Sequence, residues 1–245
     1  MATVLILGAT SAVAADVARC YAARSARLYL AGRNAEKLRA LCDELGAALA
    51  GSEAVDFEDS AACVACVARA TQALGELDVA LIAHGDLGDQ LQSERDVGEA
   101  ERIIAVNFTS AVALIVPLAN YLEQQGRGCL AVISSVAGER GRPRNYTYGA
   151  AKGAITRYLQ GVRSRLWPAV DVVIIKLGPV HSPMTVDHPK NALFADSPSV
   201  ARSIVAAIDG RRGEVFVPWY WRPIMSVVVT LPEAIFQRFG FLSGR

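Results

Sequence analysis

Three things are in short supply in this 245-residue sequence: charge of one sign, cysteine, and long apolar runs. Twenty-five Lys and Arg against 24 Asp and Glu leave a net charge of +1, with the two signs dispersed. Nothing in that balance attracts nucleic acid, and no nucleic-acid partner is expected. Five scattered cysteines, an odd number without an export signal, argue for reduced thiols rather than a disulfide scaffold. Cys63 and Cys66 do form a C-x-x-C, but inside an alanine-rich helical stretch with no second ligand pair nearby. They read as two small buried helix residues, and no metal site is expected. The apolar start, residues 2–7, lacks a basic n-region and runs straight into Gly8, so it reads as a strand and not a signal peptide. No uninterrupted apolar run is long enough to cross a bilayer, and a cytoplasmic protein is expected. Internal repeats, low-complexity linkers and charge blocks are missing as well. With 52% apolar residues the chain has ample material for a core.

Short β-branched runs alternate with longer alanine-rich amphipathic stretches. Strands are expected at 4–7, 27–31, 54–55, 79–83, 129–134, 172–176 and 215–217. Helices are expected at 12–23, 35–45, 60–74, 99–124 (one helix or two), 148–166 and 200–208. Strands that are apolar at nearly every position must be covered on both faces, as parallel strands between helix layers are. The alternation implies right-handed βαβ crossovers, hence a single-domain, Rossmann-like α/β fold: a doubly wound parallel sheet with helices on both faces. That domain should span residues 1–217. Two regions break the alternation. The proline-rich stretch 178–198 reads as a loop with short helical pieces over a site. The tail 218–245 is aromatic and apolar with interspersed arginines, and suits a membrane interface, a pocket cover or an oligomer contact.

Residues 4–14 read as strand, glycine turn and helix start. Gly8, Thr10, Ser11, Ala12 and Val13 would bring free backbone N–H groups and a positive helix end to a pyrophosphate. The second strand ends in Gly32-Arg33. An acid there would accept hydrogen bonds from a ribose; Arg33 instead offers a cationic fork to a 2′-phosphate, so NADP(H) is favoured over NAD. Farther on, 131–138 is a strand ending in Ser134-Ser135, and Tyr148 and Lys152 lie four apart on one helical face. A serine at the carboxyl end of a strand beside a Tyr-Lys pair can polarise a carbonyl and exchange a proton with it.

A strand ending in Ser-Ser, a thirteen-residue gap and Tyr-x-x-x-Lys resembles the short-chain dehydrogenase/reductase family from residue 4 to about 217. The resemblance implies hydride transfer between NADP(H) and a carbonyl or secondary alcohol. Counting thirteen back from Tyr148 selects Ser135 over Ser134. It implies Tyr148 as acid/base, Ser135 on the substrate oxygen, and Lys152 lowering the Tyr148 pKa and holding the nicotinamide ribose. It further implies Asn107 in a proton relay, Asp56 and Phe57 at the adenine, and Ala83 and Gly85 along the cofactor. In 176–184, Gly178, Val180 and Ser182 would hold the carboxamide end. The sequence departs from the family pattern at Ala12 and Ala14 (glycines in G-x-x-x-G-x-G), at Leu177 and Pro179, and at 82–85, Ile-Ala-His-Gly for N-N-A-G. His84 reads as a turn residue. Segments at 7–11, 85–89, 137–140, 145–149 and 178–180 are similar to the branch that reduces a keto-sugar on a polyprenyl phosphate, the reductase subunits of decaprenylphosphoryl-ribose 2′-epimerases. A small-molecule or lipid-linked carbonyl substrate is therefore expected, with Arg140, Arg142 and Arg144 either meeting a phosphate headgroup or forming a solvated loop. Peripheral membrane contact through 218–245 and a homodimer or homotetramer are expected alongside. Two other readings stand beside this one: a non-catalytic NADP-binding sensor or scaffold, and a reductase of soluble ketones or 3-oxoacyl thioesters.

Overall fold

Successive residues of a strand point to opposite faces, so a strand apolar throughout needs cover on both sides. In β1 (Thr3–Leu7) Leu5 and Leu7 enter one core while Val4 and Ile6 enter another on the opposite face. The structure, a computed structural model, describes residues 1–182 and 192–238. Six strands join β1: β2 (Arg27–Gly32), β3 (Leu49–Ala54), β4 (Val79–Ile82), β5 (Cys129–Ser135), β6 (Asp171–Leu177) and β7 (Glu214–Val217). They form one seven-stranded sheet, ordered β3-β2-β1-β4-β5-β6-β7, and each neighbouring pair is parallel. The strand order reverses between β1 and β4, which places a crevice at the carboxyl ends of the strands.

The helices are α1 (Ala12–Ala22), α2 (Ala35–Leu45), α3 (Ser60–Leu74), α4 (Gln90–Ser93), α5 (Val97–Ile104), α6 (Ser110–Gln125), α7 (Tyr146–Leu166), α8 (Ser197–Asp209), α9 (Trp221–Thr230) and α10 (Glu233–Arg238). One sheet face is covered by α1, α2 and α8, the other by α3, α6 and α7. The expected doubly wound α/β fold is the fold observed. Cys63 and Cys66 lie on the buried side of α3, where burial raises both thiol pKa values, Cys63 to about 11. All five cysteines are free thiols.

The differences from the sequence reading have local causes. β3 starts five residues earlier than expected, because Leu49–Ala54 is a half-exposed edge strand with no apolar run to mark it. The segment expected at 99–124 is a continuous helix, Val97–Gln125, in which α5 and α6 are joined by a π-helical turn at Ala105–Thr109. At 29 residues it is long and apolar enough to cross a bilayer, yet half of its most apolar stretch is buried inside the fold. The tail packs back onto the body. Trp221, Met225 and Val228 recur at helical spacing along α9 and close a small third core with Val136 and Phe236. The side chain of Arg140 fastens it: Nη1 donates to the carbonyls of Val228 and Leu231, each at 2.6 Å, and Nη2 pairs with Glu233 at 2.7 Å. Its guanidinium also lies 4.0 Å from the centroid of the Phe236 ring. Arg140 is therefore spent on the fold and is not available to a headgroup. Of the loop expected at 178–198, residues 183–191 lie outside the described residues, as does the tail end 239–245.

Candidate active site

A cavity of about 720 Å³ opens where β1 to β6 end, and the segment after each of these strands contributes to its wall. At the β1 end the backbone turns sharply. Gly8 has φ +87°, and a Cβ there would stand 2.4 Å from the backbone nitrogen of His84, so no other residue fits. Ser11 caps α1, its Oγ accepting from the Ala14 N–H at 3.3 Å, and Ala14 is fully buried against the sheet where the family pattern has glycine. Thr10, Ser11, Ala12 and Val13 line the cavity, so the free end of α1 faces it. Arg33, Asp56, Phe57, Ala83, Gly85, Gly178, Val180 and Ser182 line the same cavity. A glycine turn packed on the backbone of residue 84 and leading into a helix start that faces the cavity fits the pyrophosphate of a nicotinamide dinucleotide.

Ser135, Tyr148 and Lys152 meet in the middle of this wall. The two serines at the end of β5 have separate tasks. Ser134 turns into the core, donating to or accepting from Thr156 Oγ1 at 2.8 Å and bonding the Lys152 carbonyl at 3.0 Å. Ser135 points into the cavity, held by the Ala137 N–H at 3.1 Å. Both serines border the cavity, but the Ser134 hydroxyl is taken up by the two α7 partners just named. Tyr146 does not line the cavity.

Asn107 sits behind the wall, fully buried on the π-helical turn. Its Nδ2 donates to the carbonyls of Asp86 at 2.6 Å and Ile103 at 2.9 Å, and its Oδ1 accepts from the Asp86 N–H at 3.2 Å. A Cβ on Gly85 would lie 2.8 Å from Asn107 Oδ1 and 3.2 Å from Lys152 Nζ. The missing side chain is what lets the asparagine and the lysine converge. An insertion of this kind in a helix re-aims the residues it carries, and such turns recur at functional sites.

The electrostatics differ from expectation in one respect. Burial pushes the Tyr148 phenol up to about 12, with the neighbouring Ser135 hydroxyl offsetting part of the rise and Asp86 adding to it. Burial pushes the Lys152 ammonium down to about 8. Burial outweighs the pull of Lys152, whose Nζ donates to the Ile133 carbonyl at 3.2 Å and stands 5.7 Å from the tyrosine ring centroid. The phenol thus keeps its proton near neutral pH, the state a proton donor needs.

Residues 2–192 match the model of the short-chain dehydrogenase family. The chain belongs to the short-chain dehydrogenase family. This dehydrogenase is 33% identical over 241 residues to an uncharacterized oxidoreductase of Mycobacterium tuberculosis, covering 97% of this chain and 96% of that one. It is 34% identical over 244 residues to an uncharacterized oxidoreductase of Streptomyces coelicolor, covering 96% and 95%. Among solved structures, a short-chain dehydrogenase from Burkholderia cenocepacia in complex with NADP superposes with a TM-score of 0.83 at 18% identity, over 97% of this chain and 96% of that one. A 3-ketoacyl-(acyl-carrier-protein) reductase from Brucella melitensis complexed with NADH gives 0.79 at 19% identity, over 88% and 95%. The chain is thus an oxidoreductase of the nicotinamide-dependent kind, on the expected sheet.

Several cavity residues of this dehydrogenase escape a reading by motif. Lys37 lies one helical turn beyond Arg33, a spacing that could have marked it as a second cation. Arg33 itself forms only a long, exposed pair with Glu58, at 3.8 Å. Trp221 enters from α9; a Cβ on Gly178 would stand 2.1 Å from its Nε1, so Gly178 makes room for the indole. His84 lies, as expected, in the connection that follows β4. It is half-buried on the cavity wall, stacked on Phe57 at 4.6 Å, with Nε2 2.7 Å from Ser110 Oγ. Arg142 and Arg144, noted in the sequence as candidates for a headgroup, line the cavity from the loop between Ser135 and Tyr148, together with Asn145.

Proposed function

We propose that this dehydrogenase is an NADP(H)-dependent reductase of a keto group, or oxidant of the corresponding secondary alcohol, working through Ser135, Tyr148 and Lys152. The observation that carries the reading is the convergence of these three side chains on one cavity with the Gly8 turn and the Arg33–Lys37 pair. When bound, the nicotinamide supplies or takes up the hydride. Ser135 holds the substrate oxygen and stabilises the charge that develops on it. The protonated Tyr148 phenol gives that oxygen its proton in the direction of reduction and takes it back in oxidation. Lys152 holds the ribose hydroxyls, and Asn107, buried beside it at Gly85, keeps the path by which the proton is replaced. Gly8, Thr10, Ser11, Ala12 and Val13 receive the pyrophosphate. Asp56, Phe57, Ala83 and Gly85 follow the adenosine, and Gly178, Val180 and Ser182 meet the carboxamide. Arg33, aided by Lys37, selects the 2′-phosphate.

The substrate we favour is a keto-sugar linked to a lipid phosphate, handled at the cytoplasmic face of a membrane by a homodimer or homotetramer. What supports it is the similarity of the short segments around residues 85–89, 137–140 and 145–149, and the apolar face that α9 leaves outward through Val227 and Val229 beside an exposed Trp219.

Equilibrium binding of NADPH and NADH tests the cofactor half of the proposal. NADPH should bind about 100-fold more tightly than NADH, and Arg33→Ala should cut that preference to about 10-fold or less, with NADH affinity little changed. Equal binding of both nucleotides by the unaltered protein would refute the NADP(H) assignment.

A further inference from the structure

The loop 139–145 is anchored at its near end by two ion-pair sites. Glu139 pairs with the buried Lys176 at 2.8 Å, which also pairs with Glu214 at 2.5 Å. Arg140 is spent on α9 and α10, as described above. At the far end the Asn145 N–H donates to the Arg142 carbonyl at 3.1 Å, and α7 begins. The two arginines between these anchors are not spent. Among the described residues, no carboxylate lies within ion-pair distance of Arg142 or Arg144, and both line the cavity.

Arg142 is the unusual one. Among the described residues its side chain makes one hydrogen bond, a weak contact from Nη2 to the Met225 thioether at 3.5 Å, and its buried Nε has no partner. Burial and the neighbouring Arg144 hold its guanidinium below the ordinary arginine range. Arg142 is half-buried and Arg144 exposed, and a partly desolvated cation without a counter-charge is costly, a cost that a bound acceptor would offset. Its place in the fold separates it from the cofactor's phosphates. The Gly8 turn and Arg33 follow β1 and β2, on one half of the sheet edge. Arg142 hangs from the end of β5 against α9, which follows β7, on the other half. It shares that half with Ser135 and Tyr148.

We propose that Arg142, assisted by Arg144, is the specificity-determining residue of the substrate site and binds an oxyanion carried by the ketone itself. The substrate class is a carbonyl compound bearing a phosphate or a carboxylate. The inference rests on the reductase reading for what is done to that compound, but not for the existence of the anion site. A planar fork with five donors and no acceptor matches either oxyanion bidentately.

Two measurements keep the site and the reaction apart. The first follows tryptophan fluorescence, with Trp221 on the cavity wall, during titration with inorganic phosphate and separately with acetate. It uses Arg33→Ala protein, so that the nucleotide half contributes little. Phosphate or acetate should bind in the millimolar range, and adding Arg142→Gln should weaken it at least about 10-fold, with Arg142→Lys recovering part. The preferred anion tells phosphate from carboxylate. Identical titrations with and without Arg142→Gln would overturn the site. So would a loss of NADPH affinity in Arg142→Gln matching that in Arg33→Ala, since Arg142 would then be a cofactor ligand. The second compares NADPH-dependent reduction of 4-oxocyclohexanecarboxylate with its methyl ester, and of dihydroxyacetone phosphate with dihydroxyacetone. A charged partner favoured at least about 10-fold in kcat/KM, with the ratio collapsing toward one in Arg142→Gln, supports the inference. Reduction of the neutral partners equally well overturns it while leaving the reductase reading intact. Arg142-dependent anion binding with none of the four ketones reduced keeps the anion site and counts against the reductase reading.

Discussion

The two halves of the sheet edge are built by different means. On the half formed by β1, β2 and β3 the decisive feature is backbone, with Arg33 and Lys37 beside it: a glycine at φ +87°, a serine cap, a helix start and the tight approach of residue 84. On the half formed by β5, β6 and β7 the wall is side chain: Ser135, Tyr148, Arg142 and Trp221, drawn from segments nearly 90 residues apart. A backbone wall suits the part of a ligand that never varies. A side-chain wall can be altered one residue at a time, which is where a family of reductases can differ in substrate.

The largest test of this division is Tyr148→Phe. Removing the hydroxyl takes away the proton donor from the side-chain half and leaves the backbone half whole. We expect kcat to fall about 10³-fold while NADPH affinity, measured by fluorescence, changes less than about threefold. A variant that retained reductase activity would show that some other group delivers the proton. A comparable loss of nucleotide binding would show that the halves are not separable.

Arg140→Ala probes the fastening of the side-chain half. The substitution deletes two bonds to backbone carbonyls and the Glu233 pair, and uncovers Phe236. The expected cost to α9 and α10 is about 2 kcal/mol, partly offset by solvation of the freed carbonyls. Hydrogen exchange over 221–238 should accelerate, and KM for the ketone should rise severalfold while NADPH affinity holds. Unchanged exchange would mean that the apolar contacts of Trp221, Met225 and Val228 are sufficient on their own.

The same division explains what could be read before the structure. The backbone half was legible because its requirements are local: a glycine turn, a cap and an arginine at a strand end each sit within a few residues. The Tyr148–Lys152 pair was legible because one helical turn brings them together. Arg142 against Met225 and Trp221 against Gly178 depend on contacts between residues about 40 to 80 apart, and no periodicity announces those. β3 was nearly missed because an edge strand need not be apolar. The expected net lowering of Tyr148 is outweighed by burial, which spacing along a helix does not reveal.

His84 is the residue whose backbone packs directly on the Gly8 turn, and its effect is the smallest to measure. Ser110 Oγ gives its single proton to the Val106 carbonyl at 2.7 Å, so the imidazole donates from Nε2 to Ser110. Nδ1 then has no partner, and burial, with Lys152 and Arg33 adding to it, pushes the ring pKa down to about 3. The sign follows from which state binds the proton first. Unfolded chain protonates this histidine near pH 6.5, whereas the native state resists until about pH 3, so the group's contribution is complete above pH 6.5 and is lost as pH falls toward 3. Carboxylates lose stability over part of the same range, but they do so equally in a variant lacking the ring. His84→Ala, the residue common at this place in the family, should therefore lose less stability than the unaltered protein between pH 7 and pH 4 in urea denaturation, even though removing a stacked, half-buried ring lowers its stability at pH 7. Equal losses in the two proteins would mean that the native state already admits the proton near pH 6. The Gly8 turn, which packs directly on the backbone of residue 84, would then have more freedom than the close contact implies.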